Sequence, residues 1–393
     1  MANAYVSVDT ASLGGTAGSA GLVQKAYDRL VEFALRTQPL IRSVADKRPA
    51  NLTNPGSTVN FQIYKDLARV TGTLQETVDP DAVGMSTPTN VPVTLNEYGN
   101  AVLVTRALNL FSLADVDPAV ANIIAYNMAD SIDELAQSAL DGGTNVIYGG
   151  TQTSQAAITG SDIVTAANIR KAVAKLRAAN AVARKGSMYW CGIHPEVSHD
   201  LRKETGAGAW RTPHEYQTNE NIWAGEIGAF EGAYFVETPR LKVTGTGATI
   251  GSAVTVTAVT ISGQVATVTA ASHGFSVGDI VLLAGTSGGS ATLNAAQVIT
   301  SVPTSGTFTF TTGVTGTITV SSGTATKKTK VYRTFIAGQQ ALAEAVAEEP
   351  HVVIGPVVDK LMRHRPMGWY GVLGFSRFRE EALYRLETGS SIA

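Results

Sequence analysis

The sequence predicts a mixed α+β fold with a small all-β domain inserted into it. Helical patterns alternate with runs of alternating hydrophobicity over most of the chain, whereas residues 244–328 hold short β-prone runs separated by turns. Only 16% of the 393 residues are charged, against about 25% in an ordinary soluble domain. Because a surface so poor in charge is often covered, we expect neighbouring subunits to contact it.

Composition excludes several classes of protein. Hydrophobic residues make up 44% of the chain, which excludes wholesale disorder. The formal net charge of −2 argues against a dedicated nucleic-acid binder, which is usually clearly basic. A single cysteine, Cys191, excludes an internal disulfide framework and a multi-cysteine metal site. No secretory signal and no membrane-spanning run is visible in the sequence, so we expect neither export nor a membrane partner.

The N-terminal region has two predicted parts. Residues 1–21 are small and polar, and we expect an arm that becomes ordered only when a neighbour holds it. Residues 22–54 form a predicted helical segment. Its helix has an apolar face that includes Val23 and Leu30, and it ends or kinks at Pro39.

Residues 55–105 are predicted to form a long two-stranded excursion, with strands near residue 60 and over 91–95 and 101–105. An isolated hairpin of this length is marginal in water, so we expect a partner surface. The alternative is an exposed loop whose charges only keep it soluble. The following charged residues cluster toward its tip and suit ionic contacts between subunits: Lys65, Asp66, Arg69, Glu76, Asp79 and Asp81.

Residues 106–190 carry the clearest helix signal in the sequence. Asp117 can cap this helix, Pro118 suits its first position, and apolar residues keep a helical spacing to residue 140. We expect its apolar stripe, including Ile124 and Ile132, to be buried. The acidic residues beside the stripe should face solvent or a neighbour: Asp130, Asp133 and Glu134.

A second helix is predicted over residues 165–180, followed by a buried strand over 188–193 and a short helix that opens at His194 and Pro195. All charged residues between Asp162 and Glu196 are basic. A solvated helix face explains them most simply, and a mildly basic surface that faces a polyanion is the alternative. The candidates for contact with DNA are Arg170, Lys171, Lys175 and Arg177.

The predicted all-β insert, residues 244–328, differs in composition from both of its flanks. Asp279 is the only charged residue between positions 244 and 326. Uncharged β edges invite pairing with other chains. We therefore expect contact between neighbouring inserts or simple decoration of a surface, with attachment to an external surface as the alternative.

The flanks of the insert resume one another's pattern. Residues 191–243 and 329–350 are therefore predicted to form one domain, and residues 351–393 add C-terminal strands. Short runs on either side of the insert, 241–243 and 330–332, are predicted to pair and hold its ends together.

Three motifs resemble catalytic or metal sites, but each is better explained as a structural feature. Residues 285–289 match the Gly-x-Ser-x-Gly pattern formally, but they lie among turns in an all-β stretch rather than between a strand and a helix. His194, Glu196 and His199 lack the spacing of a zinc-binding helix, so a surface helix start is favoured. Cys191 lies in an apolar strand and is predicted to be a buried, inert thiol. We expect no enzyme, no metal and no cofactor.

Four stretches in order carry a resemblance to a known family. They are Asn96-Glu-Tyr-Gly-Asn-Ala-Val-Leu-Val-Thr105, Ile193-His-Pro-Glu-Val-Ser-His-Asp-Leu-Arg202, Gly225-Glu-Ile-Gly-Ala-Phe-Glu-Gly-Ala-Tyr-Phe-Val-Glu-Thr-Pro-Arg240 and Gly368-Trp369. Together with the order of arm, excursion and long helix, they resemble tailed-bacteriophage major capsid proteins with the Hong Kong 97-like fold, closest to the coliphage N4-type branch.

The resemblance implies a fold and a function. Residues 1–21 would be the arm, 55–105 the extended loop, 106–190 the peripheral domain with its spine helix, and the regions around the insert the axial domain. The protein would assemble in the bacterial host cytoplasm into pentamers and hexamers of an icosahedral virion shell around double-stranded DNA. Scaffolding, portal and decoration proteins would be partners, and Lys65 is a candidate for crosslinking. The alternative within the same fold is the shell of a cargo-holding nanocompartment.

Overall fold

The computed structural model describes residues 38–49, 58–74, 76–77, 79, 82–111, 116–204, 226–285, 293–313, 319–320, 323–356, 361 and 363–392. The described residues divide into two compact units. The first unit contains residues 99–128 and 351–370, and the second contains residues 38–98, 129–350 and 371–392. The predicted arm and the predicted helix around Val23 and Leu30 lie outside the described residues.

Strands dominate the chain. The α-helices are α1 (Arg106–Phe111), α2 (Val116–Asp141), α3 (Ala166–Ala178) and α4 (Pro195–Lys203), and the 3-10 helices are Ile41–Val44, Gln155–Ala157 and Glu380–Ala382. The strands up to the predicted insert are β1 (Ala45–Pro49), β2 (Thr58–Ile63), β3 (Thr89–Thr94), β4 (Asn96–Thr105), β5 (Val146–Tyr148), β6 (Tyr189–Ile193), β7 (Glu226–Phe230), β8 (Ala233–Glu237) and β9 (Val243–Thr244). The remaining strands are β10 (Thr249–Val256), β11 (Ala258–Ser262), β12 (Val265–Thr269), β13 (Ile280–Ala284), β14 (Ala296–Val298), β15 (Ser301–Thr304), β16 (Thr307–Thr311), β17 (Thr319–Val320), β18 (Gly323–Lys328), β19 (Val331–Ala337), β20 (Leu342–Ile354), β21 (His364–Arg377) and β22 (Leu383–Thr388).

A seven-stranded sheet organises the second unit, in the order β5-β22-β19-β6-β8-β7 with β9 paired to β19. β6 is buried along its whole length, as its apolar sequence predicts. α3 packs on this sheet through Ile169, Val173 and Leu176, which confirms the predicted stripe. Thr165 caps the helix by accepting a hydrogen bond from the backbone N–H of Asn168.

The long helix α2 begins at Val116, two residues before the predicted first turn, and ends at Asp141. Its residues Ala136 and Leu140 pack with Ile41, Trp190, Phe335 and Leu342 in a second apolar core of the second unit. Ile124 and Ile132 are buried, as predicted. The helix therefore buries apolar residues in each unit, Ile124 in the first and Ile132, Ala136 and Leu140 in the second.

The prediction that Asp133 faces solvent or a neighbour is wrong, because its side chain is only 1% exposed. It accepts a hydrogen bond from the backbone N–H of Arg42 at 2.8 Å and lies 3.4 Å from the guanidinium of Arg240. Arg240 also pairs with Asp130, whereas Glu134 is exposed. Burial raises the pKa of Asp133, and the nearby N–H groups and Arg240 oppose that rise.

The extended excursion is only partly as predicted. β2 and β3 pair antiparallel, with Phe61 opposite Val91. Residues 101–105, predicted as part of the returning strand, belong instead to β4, in a separate sheet of order β1-β20-β21-β4. The described end of the predicted N-terminal helical segment is β1, which runs parallel to β20. Both differences arise from pairing with strands about 250 or more residues away, which no local period encodes.

Residues 249–328 form two facing sheets around their own apolar core. One sheet has the order β10-β18-β13-β14 and the other β15-β16-β12-β11-β17. The core between them includes Val259, Val268, Leu283, Phe308 and Phe310. The strands that flank this region pair as predicted, with Thr244 opposite Val331.

Replacing Ile132 by aspartate tests the packing of α2. Ile132 is 1% exposed, and an unpaired buried charge costs several kcal/mol, a large part of a typical stability of about 5–15 kcal/mol. We expect Ile132→Asp to abolish the folded subunit in thermal unfolding followed by circular dichroism. Ser138→Asp, at an exposed position of the same helix, should unfold close to the wild type. Wild-type unfolding of Ile132→Asp would show that the packing is misassigned.

Candidate functional site

The loop between β2 and β3 exposes large apolar side chains to water. Val70 is 82% exposed and Leu74 is 76% exposed, and both belong to a stretch without helical or strand structure. The other exposed apolar residues of this loop are Tyr64, Leu67, Val83 and Met85. Several large exposed apolar residues on one segment favour an interaction surface over scattered single exposures. We call these six residues the hairpin patch.

The predicted charged residues lie among the hairpin patch. All the described members of that set are exposed: Lys65, Asp66, Arg69, Glu76 and Asp79. Asp81 lies outside the described residues. The loop therefore offers apolar side chains and charges of both signs together. Sequence reasoning found the charges but missed the apolar residues, because these follow no period and so gave no sign of a buried face.

The strands of the hairpin are packed within the second unit. Val93 and Leu95 are buried against Ala345, and the rings of Phe61 and Phe378 meet edge to face with centroids 6.1 Å apart. A cavity of about 770 Å³ lies beside this base, lined by residues that include Ile63, Val91, Val182, Phe378 and Ala382. The strands of the hairpin are thus packed at their base, and the cavity lies beside them.

A second set of exposed apolar residues belongs to the first unit. Its members are Val102, Leu103, Leu110, Ile123, Val352, Val353, Ile354 and Leu361. Within the first unit, the indole N–H of Trp369 donates to the side-chain oxygen of Asn127 at 2.9 Å, and the N–H of Arg106 donates to the carbonyl of Arg363 at 2.8 Å. These bonds join α1 and α2 to β21 and the residue just before it. We call this set the first-unit patch.

The four basic residues predicted to face DNA are all exposed on α3. Arg170 forms an ion pair with Glu231 at 2.8 Å, and Lys175 lies over the ring of Tyr384, 5.6 Å from its centroid. Lys171 and Arg177 complete the set. The helix therefore presents a basic face, part of whose charge is already engaged within the chain.

The residues considered as metal ligands have structural contacts instead. His194 caps α4 by accepting a hydrogen bond from the N–H of Glu196, and its ring lies 5.0 Å from that of Tyr332. Tyr332 donates its hydroxyl to Glu196. Burial lowers the pKa of His194, and burial together with Glu196 raises the pKa of Tyr332. In the described part of the chain, no group of three or more histidine, cysteine, aspartate or glutamate side chains is placed to hold a metal ion.

Of the other two motifs, Cys191 has a structural explanation, and most of the Gly-x-Ser-x-Gly match lies outside the described residues. Cys191 is buried, and this burial raises the pKa of its thiol, so the thiolate needed for nucleophilic attack is disfavoured. Of residues 285–289, only Gly285, which follows β13, belongs to the described residues. No described helix is long and apolar enough to cross a membrane.

Asp200 holds the C-terminal tail against α4. Its side chain accepts hydrogen bonds from the N–H of Ser391, at 2.8 Å, and from the Ser391 hydroxyl. Burial alone would raise the pKa of Asp200, but the hydrogen bonds from Ser391, Ser390 and His199 together outweigh it and lower the pKa below its ordinary value. The ionised carboxylate is thus the form that anchors the tail.

Acid should loosen this tail. A lowered pKa in the folded state stabilises the fold above the ordinary value of about 3.9, and this contribution disappears as the pH falls through the folded value. We expect exchange of the Ser391 amide hydrogen, corrected for its intrinsic rate, to accelerate below about pH 4. Asp200→Asn should accelerate it already at neutral pH, whereas Glu381→Gln, at an exposed carboxylate, should not. Unchanged exchange in Asp200→Asn would contradict the assignment.

Comparisons with known proteins found solved structures with a similar fold. The capsid asymmetric unit of cyanophage Pam1 is similar with a TM-score of 0.58 and 14% identity, covering 99% of each chain. The capsid protein of Ralstonia phage GP4 has a TM-score of 0.58 and 14% identity, covering 94% of this chain and 96% of that one. The chain from Mycobacterium phage Che8 has a TM-score of 0.53 and 12% identity, covering 93% and 97%.

These similarities confirm the predicted Hong Kong 97-like fold. None of the curated proteins matches the sequence. The family described as phage capsid protein matches residues 38–384, which is most of the chain. The chain therefore belongs to the phage capsid protein family and is a major capsid protein, a structural and non-enzymatic component of the virion shell.

Proposed function

We propose that this protein is the main shell subunit of a tailed phage and assembles into pentamers and hexamers of an icosahedral capsid around double-stranded DNA. The observation that carries the proposal is the pair of exposed apolar surfaces, the hairpin patch and the first-unit patch. Exposed apolar side chains concentrated in this way need a partner. A second copy of the same chain can cover both patches, because it carries the same two patches itself.

The two patches suit a heterologous contact. The hairpin patch of one copy would lie on the first-unit patch of the next, so that each copy both gives and receives one contact. Repeated head-to-tail contacts of this kind close into rings when the rotation permits. This is how the loop over residues 55–105 would serve as the extended loop across an adjacent subunit.

Apolar burial gives the contact its strength. Fully burying one large apolar side chain contributes roughly 1.5–3 kcal/mol, so several residues together offset the loss of translational freedom on association. The charges at positions 65, 66, 69, 76 and 79 would set register and association rate rather than affinity. Contact between subunits is therefore expected to be mainly apolar, not ionic as the sequence pattern suggested.

Packaged DNA would meet the protein only weakly. The net charge is −2, and the exposed basic residues of α3 form a small surface: Arg170, Lys171, Lys175 and Arg177. A few such cations support non-specific phosphate contacts that weaken with salt. The second candidate, a cargo-holding nanocompartment, would lack packaged genomic DNA. Nuclease-protected DNA in purified particles separates the two.

The remaining assignments follow from the sequence resemblance. They are membership of the N4-type branch, assembly in the host cytoplasm, and the use of scaffolding, portal and decoration proteins. Residues 106–190 would be the peripheral domain, with α2 as its spine. Residues 191–243 and 329–350 would be the axial domain, and residues 244–328 an inserted module on the outer face of the shell. The paired flanks at Thr244 and Val331 support a single entry and exit for that module.

Replacing Leu74 by aspartate tests the apolar contact. Leu74 is 76% exposed, so Leu74→Asp should leave the unfolding temperature of the free subunit unchanged. We expect it to prevent assembly, because a charge would enter the apolar interface without a partner. Thr71→Asp is the matched control, since Thr71 is also exposed in the same loop. Assembly is measured by sedimentation and electron microscopy.

Charge reversal at Glu76 separates apolar from ionic contacts. We expect Glu76→Lys to slow assembly but still to yield shells, because rim charges act mainly on association rate. Assembly of Leu74→Asp at the wild-type level, or loss of shells only in Glu76→Lys, would contradict the proposed contact.

A further inference from the structure

The outer surface of the sheet β15-β16-β12-β11-β17 is a lattice of hydroxyl-bearing side chains. One row across the strands consists of Ser301, Thr309, Thr267 and Thr260, which lie directly opposite one another in register. A second row contains Thr304, Thr307 and Thr269, with Ala258 at its end. A third contains Thr311 and Ser262 on either side of Val265. We call these three rows the threonine face.

The threonine face points away from the core in the single chain. The alternate residues of the same strands, such as Ile261, Val268 and Phe308, are fully buried between the two sheets. The residues of the face are partly or fully exposed. Strand alternation therefore puts every aromatic ring of β16 inside and every hydroxyl outside.

No charged residue belongs to the threonine face. Asp279, the one charged residue between positions 244 and 326, lies outside this sheet and pairs with Lys327 at 2.9 Å. A solvent-facing sheet surface usually carries charges of both signs, which keep exposed strands from associating. The lack of charge here removes that protection.

We propose that the threonine face is a contact surface for the same face of a second copy. A hydroxyl both donates and accepts hydrogen bonds, so any hydroxyl can pair with any other, whereas lysine only donates and ionised glutamate only accepts. A neutral hydroxyl surface is therefore complementary to itself. Two copies related by a twofold axis would present it to each other without repulsion.

The hydroxyls already show this pairing within one chain. Thr304 and Thr307 lie 2.7 Å apart through their side-chain oxygens, and Thr300 and Thr309 lie 3.3 Å apart. A polysaccharide is a less suitable partner, because the face presents no aromatic ring for a sugar to stack on; Phe308 and Phe310 point inward. The proposed contact between two copies would use the same hydroxyl–hydroxyl hydrogen bonds that form within one chain.

The area of the threonine face determines whether the contact can form between free subunits or only within a shell. Strand spacing and residue rise give it an area of roughly 300–400 Å² per copy. A stable interface in solution buries at least about 1,200 Å² in total, so free subunits should not associate through it. In a shell the neighbours are held close, and a weak contact becomes populated through effective concentration. The inference thus rests on the proposed shell assembly.

Crosslinking of assembled shells tests the contact. Thr260→Cys, Thr267→Cys and Thr309→Cys place one thiol each on the face, and Val277→Cys places one on an exposed turn of the same region as a control. The native Cys191 is buried and does not compete. Shell formation is confirmed first by electron microscopy, so failure of assembly is recognised separately. A short bis-maleimide is then added, and the products are separated on denaturing gels.

We expect dimer bands from at least one face variant in shells, and only monomer from Val277→Cys and from unassembled subunits of every variant. Thiol labelling with a monofunctional maleimide checks that each cysteine is accessible. Intact shells whose accessible face cysteines give only monomer would overturn the inference and leave the proposed capsid function standing. Equal dimer yield from Val277→Cys would overturn it as well, because the proximity would then not be specific to the face.

Discussion

The hairpin between β2 and β3 carries apolar side chains that a single chain leaves in water. Val70 and Leu74 have no packing partner in the core clusters of the described residues, and neighbouring charges cannot compensate for their exposure. The exposure of these apolar residues is the feature on which the proposed assembly depends. The strands of the hairpin are packed within the second unit through Val93 and Phe61, whereas the apolar residues of its loop are exposed. In the proposed assembly a neighbouring subunit covers these residues.

The body that supports the hairpin is held by buried charges as well as by apolar packing. Asp133 on α2 binds the backbone of Arg42 and faces Arg240, while Arg42 donates through its Nε to the buried Glu344 of β20 at 2.9 Å. Removing one partner of a buried pair is expensive, typically about 3–5 kcal/mol. The network therefore ties the segment before β1, the helix α2 and the strand β20 into one arrangement. The same arrangement in every copy would place identical surfaces in identical positions.

Local patterns in the sequence predicted much of this fold. The spacing of apolar residues predicted α2, α3, the hairpin strands and the short strands after residue 248. Each of these elements has its own local period, helical or alternating. The local sequence around Asp133 could not predict that its side chain is buried, because its hydrogen-bond partner Arg42 lies 91 residues away in the chain. The pairing of β4 outside the hairpin is equally non-local. At the proposed contact surface the sequence pattern pointed to the charged residues but not to Leu74 and its apolar neighbours. The apolar residues of this loop follow no period, and only a period identifies a buried face from sequence.

The central claim is that the hairpin patch of one copy is buried on the first-unit patch of the next. Cryo-electron microscopy of particles formed by the purified protein tests it most directly. The account predicts closed shells in which Val70 and Leu74 contact a neighbouring subunit near residues such as Leu103 and Leu110. Shells in which the hairpin points into solvent, or contacts neighbours only through its charged residues, would contradict it.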